Sequence, residues 1–279
     1  SAANGAGGTG VNLAGSNNIL LNAGTITGGA GTGGGIGVVT RGGNTITNAG
    51  LIIGAQTGAG GGRAAAIEFG GTGNLLNLLT GSAILGNLSF GAGATATIAA
   101  QHTGLALNND VILGDAAAAV TFDTSTTGMT MAGVIAGAGS LNVIGANTLT
   151  MSGANTFTGA TTISNGTLAL VGGGSLASSS GVALNSVLDI SGVTAGASIQ
   201  ALSGTGTLRL GAQSLTLTNA TGTFGGDIVG TGGVRLAAGT QTLAGVNTYT
   251  GATTIDSGAT LRLSGGGSVA ASSGVTNNG

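Results

Sequence analysis

The chain has 279 residues, including 62 Gly but no Pro and no Cys; only 4% of its residues are charged, and its net charge is −2. The lack of Cys excludes a disulfide scaffold and Cys-based zinc sites, and so few charges exclude a basic nucleic-acid face. Because 41% of the residues are hydrophobic, the chain has apolar surface to bury and is expected to fold despite its glycine content.

The apolar residues come in short bursts and never in the run of about 18 that a membrane-spanning helix needs. The first residues, Ser1–Gly5, have neither the basic region nor the apolar core of a signal peptide. We therefore expect no signal peptide and no membrane insertion in this segment.

The N-terminal half repeats itself at short range. The segment Asn22–Gly28 returns as Asn48–Gly54, at an offset of 26 in the numbering, and Asn44–Asn48 alternates polar and apolar residues. Alternation with period 2 indicates a half-buried strand, and an offset of this size fits one coil of a parallel β-helix. We assign residues 1–128 to such loosely repeated coils.

The middle of the chain has no strong helix signal and no linker. The best helix candidate, Asp115–Val120, is too short to be stable alone. A second style of repeat takes over near residues 120–130, and no linker separates the two styles. The sequence therefore predicts one continuous solenoid over residues 1–279, with the second style in residues 129–279.

The C-terminal half has further alternating strands at Asn147–Met151, Gly206–Leu210 and Ser214–Thr218. It also contains a long repeat, because Ser152–Ile163 returns as Ala244–Ile255, at an offset of 92 in the numbering. A sandwich, a closed barrel and a propeller are alternatives, but aromatic residues are only 2% of the chain. A narrow solenoid core of small aliphatic residues suits this composition better. We expect on the order of a dozen coils, with about four in each period of the long repeat.

The stretch Leu149–Leu168 resembles the passenger-associated transport repeat of bacterial autotransporters, and Thr242–Leu261 resembles it equally well, with Tyr249 in the place of Phe157. The resemblance implies an all-β fold, a right-handed single-stranded parallel β-helix, exported to the surface of a Gram-negative bacterium. A complete autotransporter also has a C-terminal outer-membrane barrel, which we expect to be absent from this segment because it ends within the repeat pattern.

Few residues offer chemistry. His102 is the only His in the chain. Its simpler interpretation is a turn residue that faces solvent, and the alternative is a catalytic base. Asp110, Asp115 and Asp123 are the only local group of carboxylates, and turn residues are again the simpler interpretation. The other carboxylates are Glu68, Asp189, Asp227 and Asp256.

Four Thr-x-Thr pairs could form a binding surface if they stack, although Thr is also an ordinary outward strand residue. They are Thr25/Thr27, Thr45/Thr47, Thr148/Thr150 and Thr216/Thr218.

We favour a structural or adhesive passenger module that is not an enzyme and has no catalytic, cofactor or metal site. Its expected partners are other copies of itself or a neighbouring cell surface, and not nucleic acid. The alternatives are a polysaccharide-cleaving β-helix, which needs clustered carboxylates, and an ice- or glycan-binding solenoid, which needs aligned threonines.

Overall fold

The computed structural model describes residues 7–58 and 61–279. The chain divides into two compact units, residues 1–140 and 141–279. The described residues contain strands and turns but no helix, and the strand ladders are all parallel. The fold class predicted from the sequence, an all-β solenoid, is therefore confirmed, and about ten coils are present.

The first unit contains sixteen short strands within its described residues. They are β1 (Val11–Leu13), β2 (Ile19–Asn22), β3 (Thr25–Thr27), β4 (Val38–Thr40), β5 (Thr45–Asn48), β6 (Leu51–Ile53), β7 (Ile67–Phe69), β8 (Asn74–Leu78), β9 (Ala83–Leu85), β10 (Leu88–Phe90), β11 (Thr95–Ala100), β12 (Leu105–Leu107), β13 (Val111–Leu113), β14 (Ala119–Asp123), β15 (Met129–Met131) and β16 (Ile135–Gly137).

Hydrogen-bonded neighbours in this unit are strands from successive coils. One face has the order β1-β4-β7-β10-β13-β16, a second has β2-β5-β8-β11-β14, and β3-β6-β9 forms a third. Parallel neighbours require a long connection, and here that connection is the rest of the coil. The strands β3 and β6 pair Thr25 with Leu51, which confirms the predicted offset of 26 as the length of this coil.

The interior of the first unit is a stack of apolar side chains. Ile46, Leu76, Ile98 and Phe122 are paired in register on four successive strands, and all four are fully buried. Their strand neighbours point outward, as the pleat requires. Each coil therefore shields the apolar side chains of the next.

The second unit contains the remaining seventeen strands; the first of them begins at the last residue of the first unit. They are β17 (Ser140–Ile144), β18 (Thr148–Met151), β19 (Thr161–Ile163), β20 (Thr167–Gly172), β21 (Val182–Leu184), β22 (Val187–Val193), β23 (Ala197–Ile199), β24 (Leu202–Gly204), β25 (Thr207–Gly211), β26 (Leu215–Leu217), β27 (Ala220–Phe224), β28 (Asp227–Gly230), β29 (Val234–Leu236), β30 (Gly239–Leu243), β31 (Thr253–Ile255), β32 (Thr260–Leu263) and β33 (Val275–Asn277).

Three faces build this unit. The first has the order β17-β19-β21-β24-β27-β30-β32, the second β18-β20-β22-β25-β28, and the third β23-β26-β29-β31-β33. The coils here are shorter than the coil that separates Thr25 from Leu51, because Leu141 pairs with Thr161, and Thr161 with Val182. On the second face a buried rank forms the core: Leu149, Leu168, Leu188, Leu208 and Ile228.

The strands predicted from alternation are confirmed: they correspond to β5, β18, β25 and β26. The alanine run at Asp115–Val120 is not helical, since Asp115 begins a turn and Ala119 begins β14. Each unit is a stack of coils, and the single continuous solenoid over residues 1–279 stays a prediction.

The long repeat is out of phase with the coils. The repeated segment places β19 on the first face of the second unit, whereas its counterpart β31 lies on the third face. With coils of the length that separates Leu141 from Thr161, one period of the repeat makes about four and two-thirds coils, so the expectation of about four is corrected. The two copies have the same local structure but face different directions.

Candidate functional site

The carboxylates of the local group bind turn backbone. Asp110 Oδ1 accepts a hydrogen bond of 2.8 Å from the backbone N–H of Val134, and Asp123 Oδ1 accepts one of 2.8 Å from Ser125. Aspartates that accept backbone N–H groups in this way stabilise turns. This geometry favours the turn interpretation of both residues.

Asp115 holds its turn more tightly. Its Oδ1 accepts hydrogen bonds from the backbone N–H groups of Gly93 (3.0 Å), Ala117 (3.1 Å) and Ala118 (2.9 Å), and Gly93 belongs to the preceding coil. The bond from Gly93 is the main reason that the pKa of Asp115 lies below its ordinary value; desolvation opposes this shift, and the other two bonds add to it. A carboxylate stabilised in its charged form is a poor general acid or base near neutral pH.

His102 lies in a turn, as expected, but it is half-buried instead of facing solvent. Its Nδ1 lies 2.9 Å from the carbonyl oxygen of Thr103, while Nε2 is buried without a hydrogen-bond partner. A catalytic triad needs a carboxylate on one ring nitrogen and a nucleophile on the other. Neither contact occurs among the described residues.

The other carboxylates are separated from one another. Glu68 lies on β7, Asp189 on β22 and Asp227 on β28, whereas Asp256 forms an ion pair of 2.7 Å with Arg235. The hydrogen bond and charge of Asp256 raise the pKa of Arg235. No group of three or more His, Asp or Glu side chains within the described part of the chain could hold a metal ion.

Buried asparagines link successive coils in the first unit. Asn22 Nδ2 donates to Asn48 Oδ1 at 2.7 Å, and Asn48 Nδ2 donates to Ser82 Oγ at 2.7 Å. Each buried amide thereby satisfies a polar group of the next coil. The recurrence of Asn22 as Asn48 is the sequence signal that could have revealed these hydrogen bonds between coils, but the repeat alone does not show that the asparagine side chains point inward.

In the second unit, the repeated segment is organised around a buried aromatic ring. Phe157 and Tyr249 are 1% and 0% exposed, so both rings pack inside their coils. In both copies the ring lies in an irregular segment that takes the place of a strand on one face. Burial of so large a ring removes much apolar surface from water at this point.

The two copies also share a buried hydroxyl network. Thr161 Oγ1 lies 3.0 Å from Ser179 Oγ, which donates to the carbonyl oxygen of Gly159. In the second copy, Thr253 Oγ1 donates to Ser272 Oγ at 3.0 Å, and Ser272 donates to Gly251. These hydroxyls tie one coil to the next at corresponding positions.

Tyr249 adds one bond to this network, since its Oη lies 2.6 Å from Thr253 Oγ1. Burial raises the pKa of Tyr249, and the hydrogen bond with Thr253 opposes that shift only in part. Phe157 has no hydroxyl and forms no corresponding bond, so comparison of the two copies isolates the contribution of this hydrogen bond.

The predicted Thr-x-Thr pairs do not stack into a common array. Thr45 pairs with Ile19 on one side and Leu75 on the other, and Thr216 has Arg235 as a ladder neighbour. These threonines are ordinary outward strand residues. An array needs threonines at the same register in adjacent coils.

Such an array occurs instead on β27, β30 and β32, at positions that the sequence analysis did not single out. Outward residues form two ranks across these strands. The first rank is Thr221, Thr240 and Thr260, and the second is Thr223, Thr242 and Arg262. With Gly222 and Gly239, four of these threonines and Arg262 line an open depression of about 520 Å³, which we call the threonine trough. Its signal in the sequence is the recurrence of one Thr-x-Thr pair, Thr221/Thr223, as a second, Thr240/Thr242, one coil later.

Comparison with known protein families matches residues 137–170 and 238–267 to the passenger-associated-transport-repeat. Both segments contain the irregular turn and buried ring described above. With the parallel coils, these matches support identification of the chain as an autotransporter passenger with β-helix repeats. No curated protein and no solved structure matched the chain. The described residues include no helix that could cross a membrane.

Proposed function

We propose that this chain is a structural and adhesive segment of an autotransporter passenger, displayed at the surface of a Gram-negative bacterium and acting without catalysis. The observation that carries the proposal is that hydroxyl networks join successive coils in both matched repeats, whereas the local group of carboxylates, Asp110, Asp115 and Asp123, binds turn backbone. Hydroxyl networks of this kind stabilise contacts between neighbouring coils and need no reactive centre.

We further propose that copies of the chain associate through uncharged surface. Only 4% of the residues are charged, so neither long-range attraction nor self-repulsion is strong. Exposed apolar side chains are available on outward strand positions, such as Ile19 at 71% and Leu21 at 74% exposure. Hydrogen bonds of threonine and asparagine side chains around such patches would supply specificity.

Sedimentation of the purified chain over a concentration series tests self-association. At ionic strengths of about 20 mM and 300 mM, which straddle the range where screening becomes strong, the proposal predicts the same concentration-dependent oligomer. The double variant Ile19→Ser with Leu21→Ser should weaken the oligomer, whereas Val275→Ser, at another exposed apolar position, should not. A monomer at every concentration, or an oligomer that salt dissolves, would refute this mode of association.

A further inference from the structure

The strand ladders of the first unit have a break between β9 and β12. β9 is the last strand of the ladder β3-β6-β9, and β12 begins a new ladder in which its partner is β15. Most residue pairs between β9 and β12 have Cα atoms more than 8 Å apart, whereas hydrogen-bonded strands lie about 4.8 Å apart. Where the ladder of β28 ends, by contrast, an irregular segment covers the edge, because Thr248 and Thr250 donate to the carbonyl oxygens of Ile228 and Gly230. The break at β9 has a strand on both sides instead.

β9 directs backbone hydrogen-bonding groups into this break. The N–H of Ala83 and the carbonyl oxygen of Leu85 form hydrogen bonds on the side of β6. Since alternate residues of a parallel strand bond to opposite neighbours, Ile84 directs its N–H and C=O toward β12. Its carbonyl oxygen accepts a hydrogen bond of 2.9 Å from Asn109 Nδ2, which also donates to Gly86 at 2.9 Å. A side-chain amide thus takes the place of a strand there, while the N–H of Ile84 has no acceptor among the described residues.

β12 presents the complementary groups from the other side. The carbonyl oxygen of Leu107 accepts from Ala132, next to β15, so Ala106 directs its N–H and C=O toward β9. Unpaired backbone groups at a strand edge form a template for another strand. The separation of the two edges is of the size that one intervening strand requires, because two ladder spacings amount to about 9.6 Å.

The break opens the apolar interior of the coils to solvent. With Arg63, the two strands line an open groove of about 430 Å³, which we call the ladder gap. The inward side chains of Ile84 and Leu105 are 9% and 6% exposed, whereas Ile52 on the neighbouring β6 is fully buried. Leu85 points outward at the rim and is 44% exposed. The ladder gap therefore offers apolar surface beside its backbone donors and acceptors.

Arg63 is the one charged side chain among the described residues that line the ladder gap. Its Nη1 donates to the carbonyl oxygen of Gly54 at 3.1 Å, and the N–H of Gly54 donates to Leu85. These bonds hold the guanidinium next to the C-terminal end of β9. It forms no ion pair within the described part of the chain, and its planar donors match the geometry of a carboxylate.

We propose that the ladder gap binds an extended segment of a partner polypeptide, which adds one strand between β9 and β12. The added backbone bonds to Ile84 and Ala106, an inward apolar side chain packs between Ile84 and Leu105, and a carboxylate on the segment pairs with Arg63. Strand addition draws affinity from main-chain hydrogen bonds and specificity from the sites that receive alternate side chains. The proposal is independent of association between copies of the chain, because the occupant is a separate polypeptide.

Titration of the isotope-labelled chain with the peptide acetyl-Gly-Thr-Leu-Ile-Leu-Asp-Gly-amide, followed by amide chemical shifts, tests the proposal. We expect saturable shifts that are largest at residues 83–86 and 105–109. A peptide with Pro in place of its central Ile should bind at least about tenfold more weakly, because Pro lacks the N–H that a ladder needs. A peptide with Asn in place of Asp should bind at least about threefold more weakly, because it cannot form the ion pair.

One substitution and a matched control locate the carboxylate. Arg63→Gln should weaken binding of the acidic peptide at least about threefold without affecting the peptide that contains Asn. Arg41→Gln, at an exposed arginine outside the ladder gap, should leave binding of both peptides unchanged. Absence of saturable shifts, shifts centred elsewhere, or equal binding of the peptide that contains Pro would overturn strand addition. Equal binding of the acidic peptide by wild type and the Arg63→Gln variant would overturn the carboxylate contact.

Discussion

Removal of the ring of Phe157 tests the coil joint of the first repeat. The side chain is 1% exposed, and burial of an aromatic ring removes about 150 Å² from water, worth roughly 4 kcal/mol at 25 cal/mol per Å². Phe157→Ala should therefore lower the free energy of unfolding by about 3–5 kcal/mol, since the cavity cannot fully collapse. Val246→Ala is the control, because Val246 is 59% exposed beside the corresponding segment.

Urea unfolding of the purified chain, monitored by far-ultraviolet circular dichroism, measures both changes. Val246→Ala should cost less than about 0.5 kcal/mol. If the free energy of unfolding falls by about 3 kcal/mol for each molar increase in urea, Phe157→Ala should lower the urea midpoint of the second unit's transition by more than about 1 M. A midpoint that matches that of Val246→Ala would show that the ring does not support the coil stack.

Four further outcomes follow from the geometry. Tyr249 is the only tyrosine, so its phenolate absorbance should titrate above pH 10. Because the pKa of Tyr249 is raised in the folded chain, wild type should lose stability relative to Tyr249→Phe as the pH rises above about 10. A phenolate titration with its midpoint at the ordinary pKa of tyrosine would contradict this. The pKa of Asp115 is lowered in the folded chain, so its ionised carboxylate stabilises the fold above pH 3.8. The stability advantage of wild type over Asp115→Asn should therefore disappear as the pH falls through the folded pKa. A difference in unfolding free energy between the two proteins that stays constant in urea unfolding at acid pH would refute this. Asn48→Ala should lower the free energy of unfolding, measured with urea, by about 1–3 kcal/mol, because buried polar groups lose their hydrogen-bond partner. The control, Asn87→Ala at an exposed turn, should lower it by less than about 0.5 kcal/mol. Assays against acidic and neutral polysaccharides should show no turnover; turnover that requires the clustered carboxylates would reverse the functional proposal.

The coils were predictable because their signals are local. Alternation located strands such as Thr45–Asn48, and the short repeat indicated the coil length, because each coil places its turn residues at the same point. Composition indicated the narrow aliphatic core. These features depend on neighbouring residues and on one repeat length.

The phase of the long repeat was not predictable in the same way. A long period suggests whole coils, but the coil length falls from the separation of Thr25 and Leu51 in the first unit to that of Leu141 and Thr161 in the second. The irregular segments around the two buried rings replace a strand without changing the local motif. Only the pairing of β19 and β31 with different faces reveals the rotation.

The threonine trough was missed because it is a property of register. Thr223, Thr242 and Arg262 align only if the length of each coil equals the separation between them along the chain. The predicted Thr-x-Thr pairs look similar in sequence, yet Thr45 does not have threonines as its ladder neighbours.

The most direct test of the parallel coil stack is a disulfide between coils, because the chain has no cysteine of its own. Thr162 and Ala183 are outward ladder partners on β19 and β21, and adjacent strands lie within the reach of a disulfide. Thr162→Cys with Ala183→Cys should oxidise to an intramolecular crosslink in the folded chain. The control, Thr162→Cys with Ser203→Cys, joins positions two coils apart and should remain reduced. Equal crosslinking of both pairs, or of the control alone, would contradict the stacked parallel register on which this account depends.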